Sequence, residues 1–160
     1  MRSAGIEKMT DGPCCLVGYG NPDRRDDGLG PFVVAGVEKR IRDKTGFRFL
    51  RRPQLDVDLV EEFKEAGRVI LVDAAVETSP EGLKWETVAP DLSDAPFLTH
   101  SFSPAMLLGL VELLYDRRPE TWLISIQGDD FRPGRGFSRE AGRRARWVIK
   151  DLTNFVTKEG

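Results

Sequence analysis

Four side chains in this sequence are candidates for chemistry: Asp26, Asp27, Asp73 and His100. The two adjacent aspartates follow a segment rich in glycine and asparagine, Asp73 ends an apolar run, and His100 is the only histidine in the chain. Two carboxylates and one imidazole can hold a divalent ion such as nickel, zinc or iron and leave coordination positions open. Oxygen and nitrogen ligands do not by themselves select one of these metals.

Each of these residues also has an ordinary structural explanation. A pair of aspartates before a helix often supplies one N-cap and one solvated neighbour, and an aspartate after a strand often forms a turn. A single histidine in a loop needs no functional role. The functional interpretation therefore depends on whether the fold brings the four residues to one place.

The chain alternates between apolar runs and amphipathic runs, which predicts a β-α-β-α-β order. The run Arg68–Ala74 is rich in β-branched residues and predicts a central strand buried on both faces. Leu83–Val88 alternates between apolar and polar residues, which predicts an antiparallel edge strand. The other predicted strands are Cys14–Gly18, Phe47–Arg51 and Thr121–Ile126, and the predicted helices are Pro31–Arg42, Val57–Glu65, Pro104–Tyr115 and a last one that Ser138 caps and that ends near Phe155.

This order predicts an α/β fold, a three-layer α/β/α sandwich whose twisted sheet is mostly parallel with one antiparallel edge strand. The segment Gly18–Gly30 is then a strand end, a polar turn and a helix start, in which glycines permit close backbone approach. In such sheets ligands bind at the edge where the parallel strands end. The carboxylates of Asp26, Asp27 and Asp73 should converge there, with His100 in the loop before the third helix.

Length and composition indicate one globular domain, residues 1–160, with a loose polar lead-in over residues 1–12. The 24 basic and 26 acidic residues leave a net charge of −2, which favours neither nucleic acid nor an anionic membrane as a partner. No apolar run is long enough to span a bilayer, and the N-terminus lacks the apolar core of a secretion signal. We therefore expect a cytoplasmic protein, and we expect a monomer.

The two cysteines, Cys14 and Cys15, are neighbours in a predicted strand, so their side chains should point to opposite faces of the sheet. This geometry disfavours a mutual disulfide and predicts structural thiols in a reducing compartment. A serine or cysteine triad would need His100 as its base, with Ser101 or Ser103 as the near neighbours. This arrangement is the weaker hypothesis.

Three glycine- and aspartate-containing motifs and the histidine together resemble the hydrogenase maturation endopeptidases, peptidase family M52. The similarity runs from about Cys15 to Val148. The segments that carry it are Gly18-x-Gly20-Asn21, Asp26-Asp27-Gly28-x-Gly30, Val72-Asp73-Ala74 and His100.

The resemblance implies a phosphorylase/hydrolase-like α/β/α fold and the removal of a short C-terminal extension from the large-subunit precursor of a [NiFe] hydrogenase after nickel insertion. It implies that Asp27, Asp73 and His100 contact the nickel and act in catalysis, with nickel arriving on the substrate and zinc or cadmium as surrogates. It further implies that Asp26 caps the first helix. Gly18, Gly20, Asn21 and Gly28 would support the loop.

Further segments resemble the branch of the family that serves cytoplasmic, cofactor-reducing hydrogenases. Pro53 departs from that branch, which often has histidine at this position. The segments that carry the branch resemblance are Gln54-Leu55, Ser103-Pro104, Leu107-Leu108, Leu113-x-Tyr115, Gly128-Asp-Asp-Phe131 and Gly136-Phe-Ser138.

Several arginines have predicted positions of their own. The loop 127–137 carries Arg132 and Arg135, which could contact the precursor together with Arg24 and Arg25. We expect Arg143, Arg144 and Arg146 to lie on the exposed face of the last helix.

Three other functions remain open from the residues. A nucleotide-binding α/β protein would need Gly-x-Gly-x-x-Gly, but the sixth position here is Asp23, and the acidic end of the loop would repel phosphate. A nickel-dependent checkpoint or chaperone would bind the precursor without cutting it. A peptidase with a resident zinc ion would keep its metal through purification and lose activity to a chelator.

Overall fold

A five-stranded sheet forms the centre of the fold in the structure, a computed structural model that describes residues 11–93 and 102–158. The strands are β1 (Cys14–Tyr19), β2 (Phe47–Arg52), β3 (Arg68–Ala75), β4 (Leu83–Thr87) and β5 (Glu120–Gln127). Their order in the sheet is β2-β1-β3-β5-β4. Strand β4 runs antiparallel to β5 at one edge, and all other neighbours are parallel. The predicted sheet is thus confirmed.

Helices cover both faces of this sheet. They are α1 (Leu29–Arg40), α2 (Leu59–Phe63), α3 (Pro104–Tyr115) and α4 (Arg139–Lys158), and a 3-10 turn (Arg25–Gly28) leads into α1. Helices α1 and α4 pack on one face, where Leu16, Ile70 and Ile124 lie in their core. Helices α2 and α3 pack on the other face around Val17 and Leu71. Successive side chains of each buried strand point to opposite faces of the sheet, so both faces are apolar and each is covered by a layer of helices.

The predicted and observed elements differ mainly at two helices. Helix α1 begins at Leu29 rather than Pro31, because the 3-10 turn runs directly into it. Helix α2 has only five residues. Before it, the Asp56 carboxylate accepts the Asp58 N–H at 3.0 Å, a side-chain turn that takes the place of a first helical turn.

The cysteines lie as the strand pattern predicts. Cys15 is buried on the face covered by α2 and α3, and Cys14 packs against the core on the opposite face. Both thiols are free. Burial is the main cause that raises the pKa of Cys14 to about 12 and that of Cys15 to about 11. Such thiols are poor nucleophiles at neutral pH, which fits a structural role.

Helix α4 is the longest helix, and it is amphipathic. Arg143 and Arg146 are exposed as predicted, and the Arg143 guanidinium lies 5.4 Å from the ring centre of Trp147. The prediction for Arg144 was wrong: its side chain turns inward, and Nη1 donates to the Gln127 carbonyl at 3.1 Å. Among the described helices, none has the length and apolar character needed to cross a bilayer.

Helix α3 has the N-terminus that its sequence predicts, with Pro104 as the first helical residue. The Ser103 hydroxyl accepts the Met106 N–H at 3.1 Å, which satisfies one free donor of the first turn. Replacing Ser103 with alanine should lower the free energy of unfolding by about 1 kcal/mol, measured by urea denaturation. Ser103→Asp is the matched control, because aspartate caps equally well and should keep near wild-type stability.

Candidate functional site

The register of β1 against β3 brings Tyr19 beside Asp73 at the carboxyl edge of the sheet. Gly18 pairs with Val72 across these two parallel strands, so the residues that follow each of them lie next to one another. Tyr19 packs against the core under α2 and α3. The aspartate therefore ends its strand on the sheet face that α2 and α3 cover.

A cavity of about 370 Å³ opens at this edge. Its wall combines the ends of β1 and β3, the chain that leads into α2, and the first residues around the start of α3. The lining residues are Tyr19, Gly20, Asp27, Pro53, Gln54, Leu55, Asp73, Phe102 and Pro104. Both predicted site carboxylates that lie in the described part of the chain thus face one cavity. His100 lies outside the described residues.

Asp27 reaches this cavity from the turn before α1. One of its carboxylate oxygens, Oδ2, accepts the Asn21 N–H at 2.8 Å, and its own N–H donates to the Arg24 carbonyl at 3.1 Å. Gly20 has a φ of +139°, and a Cβ atom there would lie 1.9 Å from the Asp27 carbonyl oxygen. The glycine is required because the strand end and the turn approach each other this closely.

Close backbone packing also explains the neighbouring predicted support residues. A Cβ atom at Gly18 would lie 2.2 Å from the Gly30 carbonyl oxygen, and one at Gly28 would lie 2.8 Å from the Pro22 Cα. A Cβ at Gly30 would lie 2.3 Å from the Val72 carbonyl oxygen, next to Asp73. The glycines thus let the start of α1 sit directly on the ends of β1 and β3.

Asp26 does not cap α1, so that prediction was wrong. The residue at the N-cap position is Gly28, and no side chain caps this helix. The Asp26 carboxylate is fully buried and turns away, toward the loop between β5 and α4. Oδ2 accepts the hydroxyl of Ser138 at 2.6 Å and the N–H groups of Asp129 and Asp130 at 2.8 and 3.0 Å, and Oδ1 accepts the Ser138 N–H at 2.8 Å.

These bonds also set the charge state of Asp26. Burial acts to raise its pKa, but the hydrogen bonds from Ser138, Asp129 and Asp130 together hold the pKa below its usual value. Four hydrogen-bond donors point at the Asp26 carboxyl group, and an ionised carboxylate is purely a hydrogen-bond acceptor. Asp26 is therefore an ionised carboxylate inside the protein, held by the 129–138 segment.

Asp73 has the opposite electrostatic character. Burial raises the pKa of Asp73 to about 6, and the nearby carboxylate of Asp27 acts in the same direction. Hydrogen bonding from the Tyr19 hydroxyl and from the Ala74 N–H opposes this rise. Burial and the Asp73 carboxylate in turn raise the pKa of Tyr19, which therefore remains a protonated donor at neutral pH.

This arrangement offers two kinds of chemistry. A carboxylate whose pKa lies near 6 is ionised at pH 7 and can still accept a proton efficiently, so Asp73 suits the role of a general base. Two neighbouring carboxylates also suit a divalent cation, which would relieve their mutual repulsion. Within residues 11–93 and 102–158, no group of three acidic, histidine or cysteine side chains could hold a metal ion. A third ligand would have to come from elsewhere.

Two features of the site were missed by sequence reasoning. Tyr19 stands inside the glycine motif, and pairing the two predicted strands by their ends would have placed it beside Asp73. The bonds between Asp26 and Ser138 join residues 112 positions apart, and no local pattern signals them. Two of the four predicted contact arginines form ion pairs through exposed guanidinium groups, Arg132 with Asp130 at 2.7 Å and Arg135 with Asp23 at 2.8 Å.

Comparison with known proteins finds similarity at the level of structure. No family model matches the sequence, and no curated protein matches it significantly. Among solved structures, the [NiFe] hydrogenase maturation protease HycI from Thermococcus kodakarensis superposes with a TM-score of 0.69 at 18% identity, over 96% of this chain and 99% of that one.

Two structures from Escherichia coli agree with this match. The hydrogenase maturating endopeptidase HybD gives a TM-score of 0.67 at 17% identity, over 92% of this chain and 94% of its own. The solution structure of an endopeptidase gives 0.71 at 14% identity, with the same coverage. At these identities the similarity establishes the fold: the chain has the three-layer α/β/α fold of the hydrogenase maturation proteases.

Proposed function

We propose that this chain is a maturation endopeptidase that removes the C-terminal extension from the large-subunit precursor of a [NiFe] hydrogenase. The observation that carries the proposal is the meeting of Asp27 and Asp73 in one open cavity at the carboxyl edge of this fold. The fold similarity supports it, because the proteins HycI and HybD that share the fold are maturation proteases. The motif resemblance described above supports it independently.

In this proposal Asp73 is the general base of peptide hydrolysis. Its carboxylate removes a proton from a water molecule, and the resulting hydroxide attacks the carbonyl carbon of the scissile peptide. Protonated Asp73 then returns the proton to the leaving amine. Before the nickel-bearing precursor arrives, the pKa of Asp73 lies at about 6, so the group is ionised at pH 7 and available to accept a proton.

We further propose that nickel enters the cavity as part of the precursor and is contacted by Asp27, Asp73 and His100. Two carboxylates and one imidazole, with no thiolate, would bind nickel weakly enough to leave it with the substrate's cysteines. His100 stands two positions before Phe102, which lines the cavity. Zinc or cadmium could substitute for nickel at such a ligand set.

The test is cleavage of a purified precursor, followed by intact-protein mass spectrometry. The expected result is a single shortened large subunit when the precursor carries nickel, and no cleavage of the nickel-free precursor. His100→Gln should reduce the cleavage rate by about 10²-fold or more, because the proposal assigns the imidazole a direct contact with the nickel.

The outcomes separate this proposal from its alternatives. A precursor that binds but stays uncut would show a non-cleaving checkpoint instead of a protease. Metal that copurifies with the chain, together with chelator-sensitive cleavage of a nickel-free precursor, would show a peptidase with its own metal. His100→Gln protein with wild-type rates would remove the histidine from the mechanism.

A further inference from the structure

The buried carboxylate of Asp26 forms the main connection between two loops at the candidate site. We call residues 128–138 the β5–α4 loop and residues 21–27 the Asp27 turn. All four hydrogen bonds that the Asp26 side chain accepts come from the β5–α4 loop, at 2.6 to 3.0 Å. In return, the Asp26 N–H donates to the Asp130 carbonyl at 3.0 Å. The contact is therefore reciprocal.

Backbone contacts on both sides of Asp26 extend this connection. The Arg25 N–H donates to the Gly134 carbonyl at 2.9 Å, and the Gly134 N–H donates to the Asp23 carbonyl at 2.7 Å. A Cβ atom at Gly128 would lie 2.8 Å from the Asp26 Cβ, so the loop lies directly against this side chain. The Asp27 turn is thus held along most of its length by the β5–α4 loop.

This connection between the two loops fixes the position of Asp27. Its carboxylate faces the cavity while the preceding carboxylate faces the β5–α4 loop, so the two side chains of the pair point to different partners. Within the turn, Asp27 is held by the Asn21 N–H on its Oδ2 and by the Arg24 carbonyl on its N–H. Asn21 and Arg24 are themselves exposed, so these two bonds join Asp27 to other parts of the turn and not to the protein core.

We propose that Asp26 is a positioning residue for the cleavage reaction, which holds the Asp27 carboxylate in the cavity by fastening the Asp27 turn to the β5–α4 loop. This inference rests on the proposed function, in which Asp27 contacts the nickel of the precursor. Only an ionised carboxylate accepts from all four donors at once. An amide at this position would point an N–H₂ group at N–H and O–H donors and would break at least one bond on that side.

The variants Asp26→Asn and Ser138→Ala test this role in a graded way. Asp26→Asn weakens the whole connection, whereas Ser138→Ala removes only the hydroxyl donor. We expect kcat for the nickel-loaded precursor to fall by about 30-fold and about 5-fold respectively, with KM changed less than about threefold. Val156→Ala is the matched control: it truncates a core residue of α4 about 27 Å along the helix from Ser138 and should leave kcat within about twofold.

A second measurement needs no substrate. Because the Asn21 N–H donates to Asp27 Oδ2, hydrogen exchange at this amide, followed by NMR, reports whether the Asp27 carboxylate stays in place. We expect exchange at least about 10-fold faster in Asp26→Asn than in the wild type, and unchanged exchange in Val156→Ala. Unchanged Asn21 exchange in Asp26→Asn would overturn the inference.

The kinetic outcomes are equally decisive. An Asp26→Asn protein whose KM rises while kcat is kept would show that the β5–α4 loop serves only to bind the precursor, which contradicts a positioning role. The same loss of kcat in a Val156→Ala protein that is as stable as Asp26→Asn would also contradict a positioning role. If the wild-type protein leaves the precursor uncut, the proposed function fails, and the Asn21 exchange still decides whether Asp26 places Asp27.

Discussion

Replacing Asp73 with asparagine should abolish cleavage of the precursor while making the folded protein more stable at pH 7. The amide keeps the shape of the side chain but cannot take a proton from water, so we expect the cleavage rate to fall by about 10³-fold or more. Stability should rise because burial of the ionised carboxylate is unfavourable, as its raised pKa shows. Single-turnover cleavage assays and urea denaturation measure the two effects.

The size and direction of the stability change follow from linkage. The pKa of Asp73 lies at about 6 in the folded state against a usual value of 3.8, so the folded state binds this proton more tightly than the unfolded state. The folded protein is therefore favoured at low pH, and this advantage is lost as the pH rises from about 4 to above 6. The full difference is about 3 kcal/mol, of which we expect asparagine to recover 1–2 kcal/mol at pH 7.

The pH dependence provides the control for this prediction. The stability difference between Asp73→Asn and the wild type should be small or negative near pH 4 and should grow toward pH 7. Asp151→Asn, at an exposed position on α4, should show no such trend. A stability difference that stays constant from pH 4 to 7 would mean that Asp73 is not buried as an ionised group.

The sequence predicts the elements of this fold because its core strands are continuous apolar runs. The pattern of Arg68–Ala74 predicts a central strand, and β3 occupies that place with five fully buried or nearly buried residues at its start. The carboxyl-edge position of Asp27 and Asp73 followed from strand direction alone, since parallel strands end at one edge. Their meeting in one cavity could therefore be expected from the sequence.

The role of Asp26 could not be predicted in the same way. Two adjacent aspartates before a helix satisfy the local rule for an N-cap, and the local rule was wrong here because a tertiary contact offered better partners. The donors come from residues 129, 130 and 138, more than 100 positions away. Local sequence patterns carry no information about such a contact. The residue type is consistent with it, because a buried aspartate needs several hydrogen-bond donors.

Replacing Gly20 with alanine should both destabilise the protein and inactivate it. A Cβ atom at this position would lie 1.9 Å from the Asp27 carbonyl oxygen, and backbone atoms cannot move aside as the end of a flexible side chain can. The φ of +139° lies outside the left-handed helical region and is almost confined to glycine, which adds a conformational cost of about 1–3 kcal/mol for a residue with a Cβ. We expect a total loss of roughly 3–5 kcal/mol in the free energy of unfolding, measured by urea denaturation.

Gly46→Ala separates the two causes of this loss. Gly46 also has a positive φ, +82°, but a Cβ there would meet nothing within 4 Å. Gly46→Ala should therefore lower the free energy of unfolding only by the conformational cost, about 1–2 kcal/mol, and should keep wild-type cleavage. In the Gly20→Ala protein that remains folded, the Asp27 turn must shift away from β1, so cleavage should fall further than the folded fraction does. Equal stability losses for the two variants would show that the close approach of Gly20 to Asp27 is not a feature of the folded protein.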